Sequence, residues 1–450
     1  MLLKDLIRKY DIPAPRYTSY PTVPFWSRKP EPAEWVDCLS RGLAPTGAAW
    51  ACYIHIPFCE SLCTFCGCNN VITRNHGVEE PYVQLLLKEL ACYLREVPLL
   101  AERPLRQLHL GGGSPTFLSA QSLQALLLPL VKGGLRLAPG FEASVEVDPR
   151  LTSREQLKAL ADLGFSRLSL GVQDFTPEVQ RLVNRKQPYE VTARAFEDGR
   201  ALGYKSINLD LIYGLAGQTP ATMAMSLEKT LSLRPDRIAL YSFALVPWIK
   251  PQQRLFKDED LPKAEAKRAL YELGREALLK AGYLEVGMDH FALPEDPLAL
   301  AMKDGSLHRN FMGYTESRTD VMVGLGVSSI SEAPDCFHQN EKVFPVYQAA
   351  MAEDRIPTLR GHVLSKSDQQ RRQQILRFMT QLKVELEDEA QAADARQFLA
   401  PMLEDGLVSL QGRSLSLTEA GRPFLRNACV FFDEHLRQQR PETKTFSQVI

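Results

Sequence analysis

Cys59, Cys63 and Cys66 lie in the run YIHIPFCESLCTFCGCNN, with three and then two residues between successive thiols. Three thiolates on one short loop can ligate three irons of a cubane cluster and leave the fourth open to a small molecule. An electron-carrier cluster is ordinarily held by four cysteines. An open coordination position is what separates storing an electron from doing chemistry with it. Two other uses of the thiols compete. One is a structural zinc site that adds Cys68, but zinc knuckles draw ligands from two separated pairs and no second pair follows. Cys66 and Cys68 also sit very close together for one tetrahedral ion. The other is a four-cysteine electron-transfer cluster, which would consume the open position.

The elements that must position these thiols follow from residue 50 onward. Short β-branched or apolar runs (ACYIHI, RQLHL, ASVEV, RLSLGV, INLDLI, RIALYSF) alternate with helical periodicity such as PYVQLLLKELACYLRE and YEVTARAFEDGRALG. Strand, helix, strand at this spacing means βαβ units and a parallel sheet. Six such strands before residue 245 predict an α/β fold, a full or partial (β/α) barrel of TIM-like kind. Residues 1–48 precede it as a proline- and aromatic-rich arm (PAPRYTSYPTVPFW) with a short amphipathic stretch behind, read as extended because X-Pro steps disfavour helix. From 356 to 450 the alternation stops, and helix, helix, hairpin and helix predict a smaller, mainly helical, winged-helix-like domain. The barrel is thus expected over 49–355.

Composition removes several classes. Net charge is −1 with both signs dispersed, so nothing argues for a polyanionic partner, and the tail RNACVFFDEHLRQQRPETKTF carries no basic stripe for nucleic acid. The N-terminus lacks an apolar signal stretch, and no run approaches the roughly 20 apolar residues of a membrane span. A cytoplasmic location and a monomer are the default expectations. Of nine cysteines, four crowd into 59–68. In a long chain without a secretory signal that clustering indicates metal binding rather than disulfides. Cys38, Cys52, Cys92 and Cys429 sit among apolar neighbours and read as core.

A barrel collects functional side chains where its strands end. At those ends stand Gly111–Gly113, Glu146, Gln173 with Asp174, Asp210, and Tyr241 to Ala244. Each has an ordinary reading too. A glycine run is often a tight turn. Glu146 and Asp210 could be salt-bridged, Gln173 and Arg185 polar surface, and His55 a hydrogen-bonded core histidine.

Together, CxxxCxxC after the first strand and GGGSPTF after the second resemble the radical S-adenosylmethionine (SAM) superfamily. PRYTSYPT (15–22), QLHLGGGSPT (107–116), EVDPR (146–150), GVQDF (171–175), NLDLIYGL (208–215), LHRNFMGYT (307–315), GLGVSSIS (324–331) and RNACVFFDEHLR (426–437) resemble, more narrowly, the oxygen-independent coproporphyrinogen III oxidases. The resemblance implies a 4Fe–4S cluster on Cys59, Cys63 and Cys66, with Cys68 a neighbour, and two molecules of SAM. Tyr53, Gly112, Glu146 and Ile330 would contact the first SAM. Phe65, Gly113, Ser114, Gln173, Arg185, Asp210 and Ala244 would contact the second. Tyr53, Glu146 and Arg309 make the expected catalytic set.

The activity implied is oxidative decarboxylation of two propionates of coproporphyrinogen III to vinyl groups, in haem synthesis. A 5′-deoxyadenosyl radical would take hydrogen from the propionate β-carbon. The partners implied are a tetrapyrrole substrate and a reductant protein such as a flavodoxin or ferredoxin. Arg16 and Arg309 are candidates to meet substrate carboxylates, with His290 and His308 as further ones. The 1–48 arm would cover the mouth. Ser114 stands where threonine is common and keeps the hydroxyl. Met312 stands where some members carry glutamine and loses a polar contact. A haem-trafficking protein on the same barrel is the alternative, against which the N-terminal arm and terminal FSQVI speak.

Overall fold

The computed structural model describes residues 3–26, 29–439 and 444–450; residues 1–2 and 27–28 of the arm and 440–443 of the C-terminal tail lie outside the described residues. Six parallel strands run in sequence order across the sheet: β1 (Trp50–Ile56), β2 (Leu105–Gly112), β3 (Leu137–Val147), β4 (Phe165–Gln173), β5 (Ser206–Tyr213) and β6 (Arg237–Ser242). Val321–Leu325 adds a seventh parallel strand beside β1. Antiparallel strands flank this series at both edges, giving a 12-stranded sheet. The crossovers include Glu79–Glu96, Ala120–Val131, Arg154–Asp162, Tyr189–Ala201 and Pro220–Leu233. Ser153 and Thr219 start two of them with reciprocal capping boxes, which satisfy helix N–H groups that would otherwise lack partners.

Strands buried on both faces usually read as continuous apolar runs. These alternate instead. On β3, Ala143, Val145 and Val147 belong to the apolar core shared with the helices, while Glu142, Ser144 and Glu146 take the opposite face. On β5, Ile207, Leu209 and Leu211 face the helices, and Ser206, Asn208 and Asp210 do not. The polar face therefore turns inward. Residues from five adjacent strands, β2 to β6, line one chamber of about 350 Å³. A flat sheet of that width would span roughly 19 Å, so the sheet curls into a partial barrel around the chamber.

A second core lies outside the barrel. Leu6, Ile7 and Tyr10 share it with Ile375, Phe378, Phe424, Phe431 and Val449. The arm is not extended throughout: Leu3–Tyr10 is a helix, because Leu3, Leu6, Ile7 and Tyr10 recur at helical spacing, and the last three are buried. Pro32–Leu43 is also a helix and buries Trp35, Cys38 and Leu39 in the barrel core. Arg426 fastens the first stretch, donating to the carbonyls of Ala14 and Pro15 and to those of Ser447 and Gln448. The C-terminal part holds the expected helix Lys366–Gln381 and the hairpin Val408–Gln411/Ser414–Leu417. Pro401 divides the second expected helix into Glu389–Phe398 and Ala400–Glu404, and Lys383–Glu385 adds a third strand.

Candidate active site

The cysteine loop opens directly from β1. Phe58–Cys59 pairs with Val71–Ile72, so the loop's two ends are closed by a short ladder. Its interior carbonyls are held from outside. Asn184 Nδ2 donates to Leu62 O (2.7 Å), Gln252 Nε2 to Cys66 O (2.9 Å), Gln253 Nε2 to Phe65 O (3.1 Å) and Lys250 Nζ to Cys68 O (2.7 Å). Cys59, Cys63 and Cys66 all line the chamber. Donors converge on their sulfurs: Arg185 Nη1 and Arg150 Nη2 stand 3.6 and 3.7 Å from Cys63 Sγ, and Asn70 Nδ2 stands 3.7 Å from Cys66 Sγ. Thiolates gathered under cationic and amide donors suit an iron–sulfur cluster, whose sulfurs are charged and accept such bonds. Cys68 donates its backbone N–H to Cys66 Sγ (3.4 Å) and so stands beside these three thiols. With bare thiols, burial and the other two sulfurs push Cys59 up to about 12.

The glycine run lies against the start of this loop. Gly113 N–H donates to Ile56 O (2.7 Å) and Ser114 N–H to Phe58 O (2.9 Å). Gly112 has φ +114, and a Cβ there would stand 2.6 Å from the His55 ring. Close backbone approach, not merely a turn, requires glycine here.

Glu146 accepts from His109 Nε2 (3.3 Å), and His109 also bonds Ser144 (2.7 Å). Burial alone would push the Glu146 carboxyl up, but His109 and the Gly112 N–H outweigh it and hold it below its usual range. Its side chain is about half accessible, and the space it meets is the chamber. Tyr53 stacks on His109 with ring centroids 5.8 Å apart. His55 Nε2 faces the Asn69 carbonyl (2.9 Å), so that nitrogen carries the proton and Nδ1 accepts from the Tyr53 hydroxyl (3.0 Å). Burial lowers the His55 pKa, which keeps the ring neutral. It is a hydrogen-bonded core histidine.

Asp210 accepts from Ser169 Oγ (3.0 Å) and Asn208 Nδ2 (2.8 Å). Burial, and then the charge of Glu146, push it up to about 6. Arg185 is buried, not surface: Nη2 donates to Gly171 O (2.7 Å), Nη1 meets Asp148 (3.2 Å), and Nε has no partner among the described residues. Burial raises the Asp148 carboxyl, but Arg185 and Arg150 outweigh it and hold it below its usual range.

The chamber thus brings together Cys59, Cys63, Cys66, Phe65, Gly112, Gly113, Glu146, Gln173, Arg185, Asp210, His290 and Met312. Other candidates stand behind or beside it. Ser114 is buried next to Thr116 (3.4 Å). Ala244 offers its carbonyl to Gln253 (3.2 Å). Ile330 packs against the Trp26–Phe337–Leu364 cluster. Arg309 is buried with its guanidinium 4.5 Å over the Tyr314 ring, and Nη2 reaches the Arg16 carbonyl at 3.5 Å. Arg16 donates to Ser242 O (2.7 Å) at the end of β6 and borders a second cavity of about 410 Å³. His308 is half-buried; desolvation, and then the charges of Arg318 and Arg372, push its pKa down to about 4. Asp174 serves structure, accepting from Thr176 N–H, Gln218 and Ser226.

His109, Ser144, Ser169 and Asn208 were not singled out from sequence, although each occupies the polar phase of an alternating strand. Asp148 and Arg150, inside EVDPR, were also passed over. A second group of metal-ligand types, His362, Asp368 and His435, lies in the C-terminal part, already joined by hydrogen bonds.

Comparison with known proteins identifies the family. Residues 53–230 match the Radical SAM superfamily. The oxygen-independent coproporphyrinogen III oxidase of Salmonella typhimurium is 38% identical over 99% of this chain and 98% of its own. That of Pseudomonas aeruginosa is 39% identical over 99% of this chain and 98% of its own. A solved structure of Escherichia coli coproporphyrinogen III oxidase, described as a radical SAM enzyme, superposes with a TM-score of 0.88 at 37% identity, covering 94% of this chain and 98% of that one. With relatives of this identity aligned almost end to end, the chain belongs to the oxygen-independent coproporphyrinogen III oxidases of the radical SAM superfamily.

Proposed function

We propose that this chain decarboxylates two propionate side chains of coproporphyrinogen III to vinyl groups without oxygen, giving protoporphyrinogen IX. The observation that carries the reading is the juxtaposition, in one chamber, of three thiols on one loop, a glycine strand end packed on that loop, and the inward carboxylates Glu146 and Asp210. Cys59, Cys63 and Cys66 would hold the cluster. Tyr53, Gly112, Glu146 and Ile330 would hold one SAM; Phe65, Gly113, Ser114, Gln173, Arg185, Asp210 and Ala244 would hold a second. When bound, these groups supply one-electron cleavage of a sulfonium and, through it, removal of hydrogen from an unactivated carbon.

The protein's own part is orientation, charge and exclusion of water. Ionised Glu146 offers acceptor oxygens to an ammonium or hydroxyl at the Gly112 strand end. Arg185 carries a buried donor, Nε, free for a carboxylate. The Tyr53 hydroxyl is committed to neutral His55, so Tyr53 presents ring and backbone rather than an acid. The arm supports a covering role, because Arg16 bonds the end of β6 and Arg426 ties 14–15 into the C-terminal core. Arg309 reaches the Arg16 carbonyl, so its catalytic assignment rests on this link between arm and mouth. Among the described residues no helix is long and apolar enough to cross a membrane, and the proposal is of a cytoplasmic monomer served by a reductant protein.

The test is anaerobic reconstitution with iron and sulfide, followed by coproporphyrinogen III, SAM and dithionite. Protoporphyrin fluorescence after oxidation and 5′-deoxyadenosine are expected, and both should vanish in Cys59→Ala. Tight haem binding with no vinyl product would overturn the reading in favour of a trafficking protein.

A further inference from the structure

Two segments that tether the cysteine loop share a property their tethering does not explain. Each carries exposed apolar side chains. Ile249 and Leu255, in the segment that bonds the Phe65, Cys66 and Cys68 carbonyls, are 58% and 73% exposed. Val343, next to the Lys342 carbonyl that Asn69 reaches at 3.5 Å, is 58% exposed. Ile72 closes the loop's own ladder and Trp248 precedes Ile249; both are exposed too. Large exposed apolar side chains are ordinary when scattered, but a group gathered on one face marks an interaction site.

The charges around them leave a cationic surplus. Lys250, Arg254, Lys342 and Arg74 form no ion pair among the described residues; of the acidic neighbours, Glu60 and Glu259 are engaged by His76 and Lys257, leaving Glu341 and Asp260 against four cations. Lys342 is lowered by burial and then by Arg360 and Lys250, with no carboxylate opposing them. In a chain of net charge −1, this is a local positive field. The loop these segments hold carries Cys59, Cys63 and Cys66.

We propose that this face docks an acidic one-electron carrier protein, whose reduced flavin or iron–sulfur centre gives one electron to the cluster at each encounter. The inference rests on the radical SAM reading of the chamber. The carrier is oxidised by one electron and the cluster reduced by one; no bond to the protein is made. An apolar centre with a cationic rim fits a transient partner, where rim charges set the association rate.

The experiment uses reconstituted enzyme with a reduced flavodoxin as probe and dithionite as the small reductant. Arg254→Glu with Lys342→Glu should slow cluster reduction by flavodoxin about tenfold or more at low ionic strength, and salt should erase the difference. Ile249→Ser with Leu255→Ser should slow it at all salt concentrations. Dithionite-driven product formation and its KM for the tetrapyrrole should stay at wild-type values in both. Unchanged flavodoxin rates would overturn the proposal, as would a raised tetrapyrrole KM with dithionite, which would make this face the substrate's rim. Failure of wild type to accept electrons from flavodoxin while dithionite still yields product would also overturn it and leave the function intact. Absence of product with either reductant would instead strike the proposed function.

Discussion

Gly113→Ala is expected to separate the glycine loop from the cysteine loop. A Cβ at Gly113 would stand 2.6 Å from Pro57 O, 2.7 Å from Pro57 C and 2.8 Å from Phe58 O. Ordinary contact begins near 3.4 Å, so the two backbones must part by about 0.6 to 0.8 Å. The obstructing atoms are backbone, immediately before Cys59, and cannot rotate away. Overpacking of this kind costs about 1–3 kcal/mol. Movement approaching 1 Å in a positioned site costs on the order of 10²-fold in rate. Gly67→Ala in the same loop is the control, because its Cβ meets nothing within 4 Å. Iron and sulfide content after reconstitution, 5′-deoxyadenosine yield with dithionite, and thermal unfolding together read the effect. Gly113→Ala should lose stability and at least tenfold of the yield; Gly67→Ala should keep both. Wild-type yield in Gly113→Ala would refute the claim that close approach, rather than turn geometry, demands glycine there.

Asp210 should make stability fall as pH rises between about 4 and 6: its folded pKa, about 6, exceeds the unfolded value, so the native state holds the proton longer. Asp210→Asn should therefore gain on the order of 1–3 kcal/mol over wild type at pH 7 and nothing below pH 4, by denaturant midpoint, while retaining SAM less well. Equal midpoints at pH 7 would count against a buried, strained carboxylate. Arg426→Ala leaves the buried carbonyls of Ala14 and Pro15 without this donor and should cost roughly 3 kcal/mol or more. Proteolysis should then cut first within residues 3–20, and an unchanged cleavage pattern would refute the tether.

What was legible in the sequence was what is local. CxxxCxxC, the glycine run and six strand–helix alternations are short-range patterns, and all six strands appear within a few residues of their expected places. What was not legible depends on contacts between distant segments. Arg185 and Asp148 are 37 residues apart and meet only because β3 and β4 end side by side. The bonds from Lys250 and Gln252 to the cysteine loop span more than 180 residues. The arm reads as extended because its prolines dominate 13–24, with a short amphipathic stretch behind that is the helix Pro32–Leu43; the helix Leu3–Tyr10 before the prolines was not expected, and the two enter different cores. One signal was available and local: His109, Ser144, Ser169 and Asn208 alternate with Leu108/Leu110, Val145/Val147, Leu168/Leu170 and Ile207/Leu209, apolar residues that face the core.

That alternation explains where the fold places its strain. A parallel sheet gains most from burying apolar residues on both faces. Here the inner face carries Glu146, Asp210, Asn208 and Arg185, with Arg185 Nε, Asn208 Oδ1 and Gln107 Oε1 buried without partners among the described residues. Asp174 shows that the chain can satisfy a buried carboxylate fully when structure is the only demand, with Thr176, Gln218 and Ser226 all donating to it. Other buried polar atoms lack partners elsewhere, but these three line the chamber, beside a fully met carboxylate outside it, and so fit groups kept for what binds them rather than for stability. Apolar replacement at Asp210 or Asn208 would therefore raise stability and remove function together, which random loss of packing would not do.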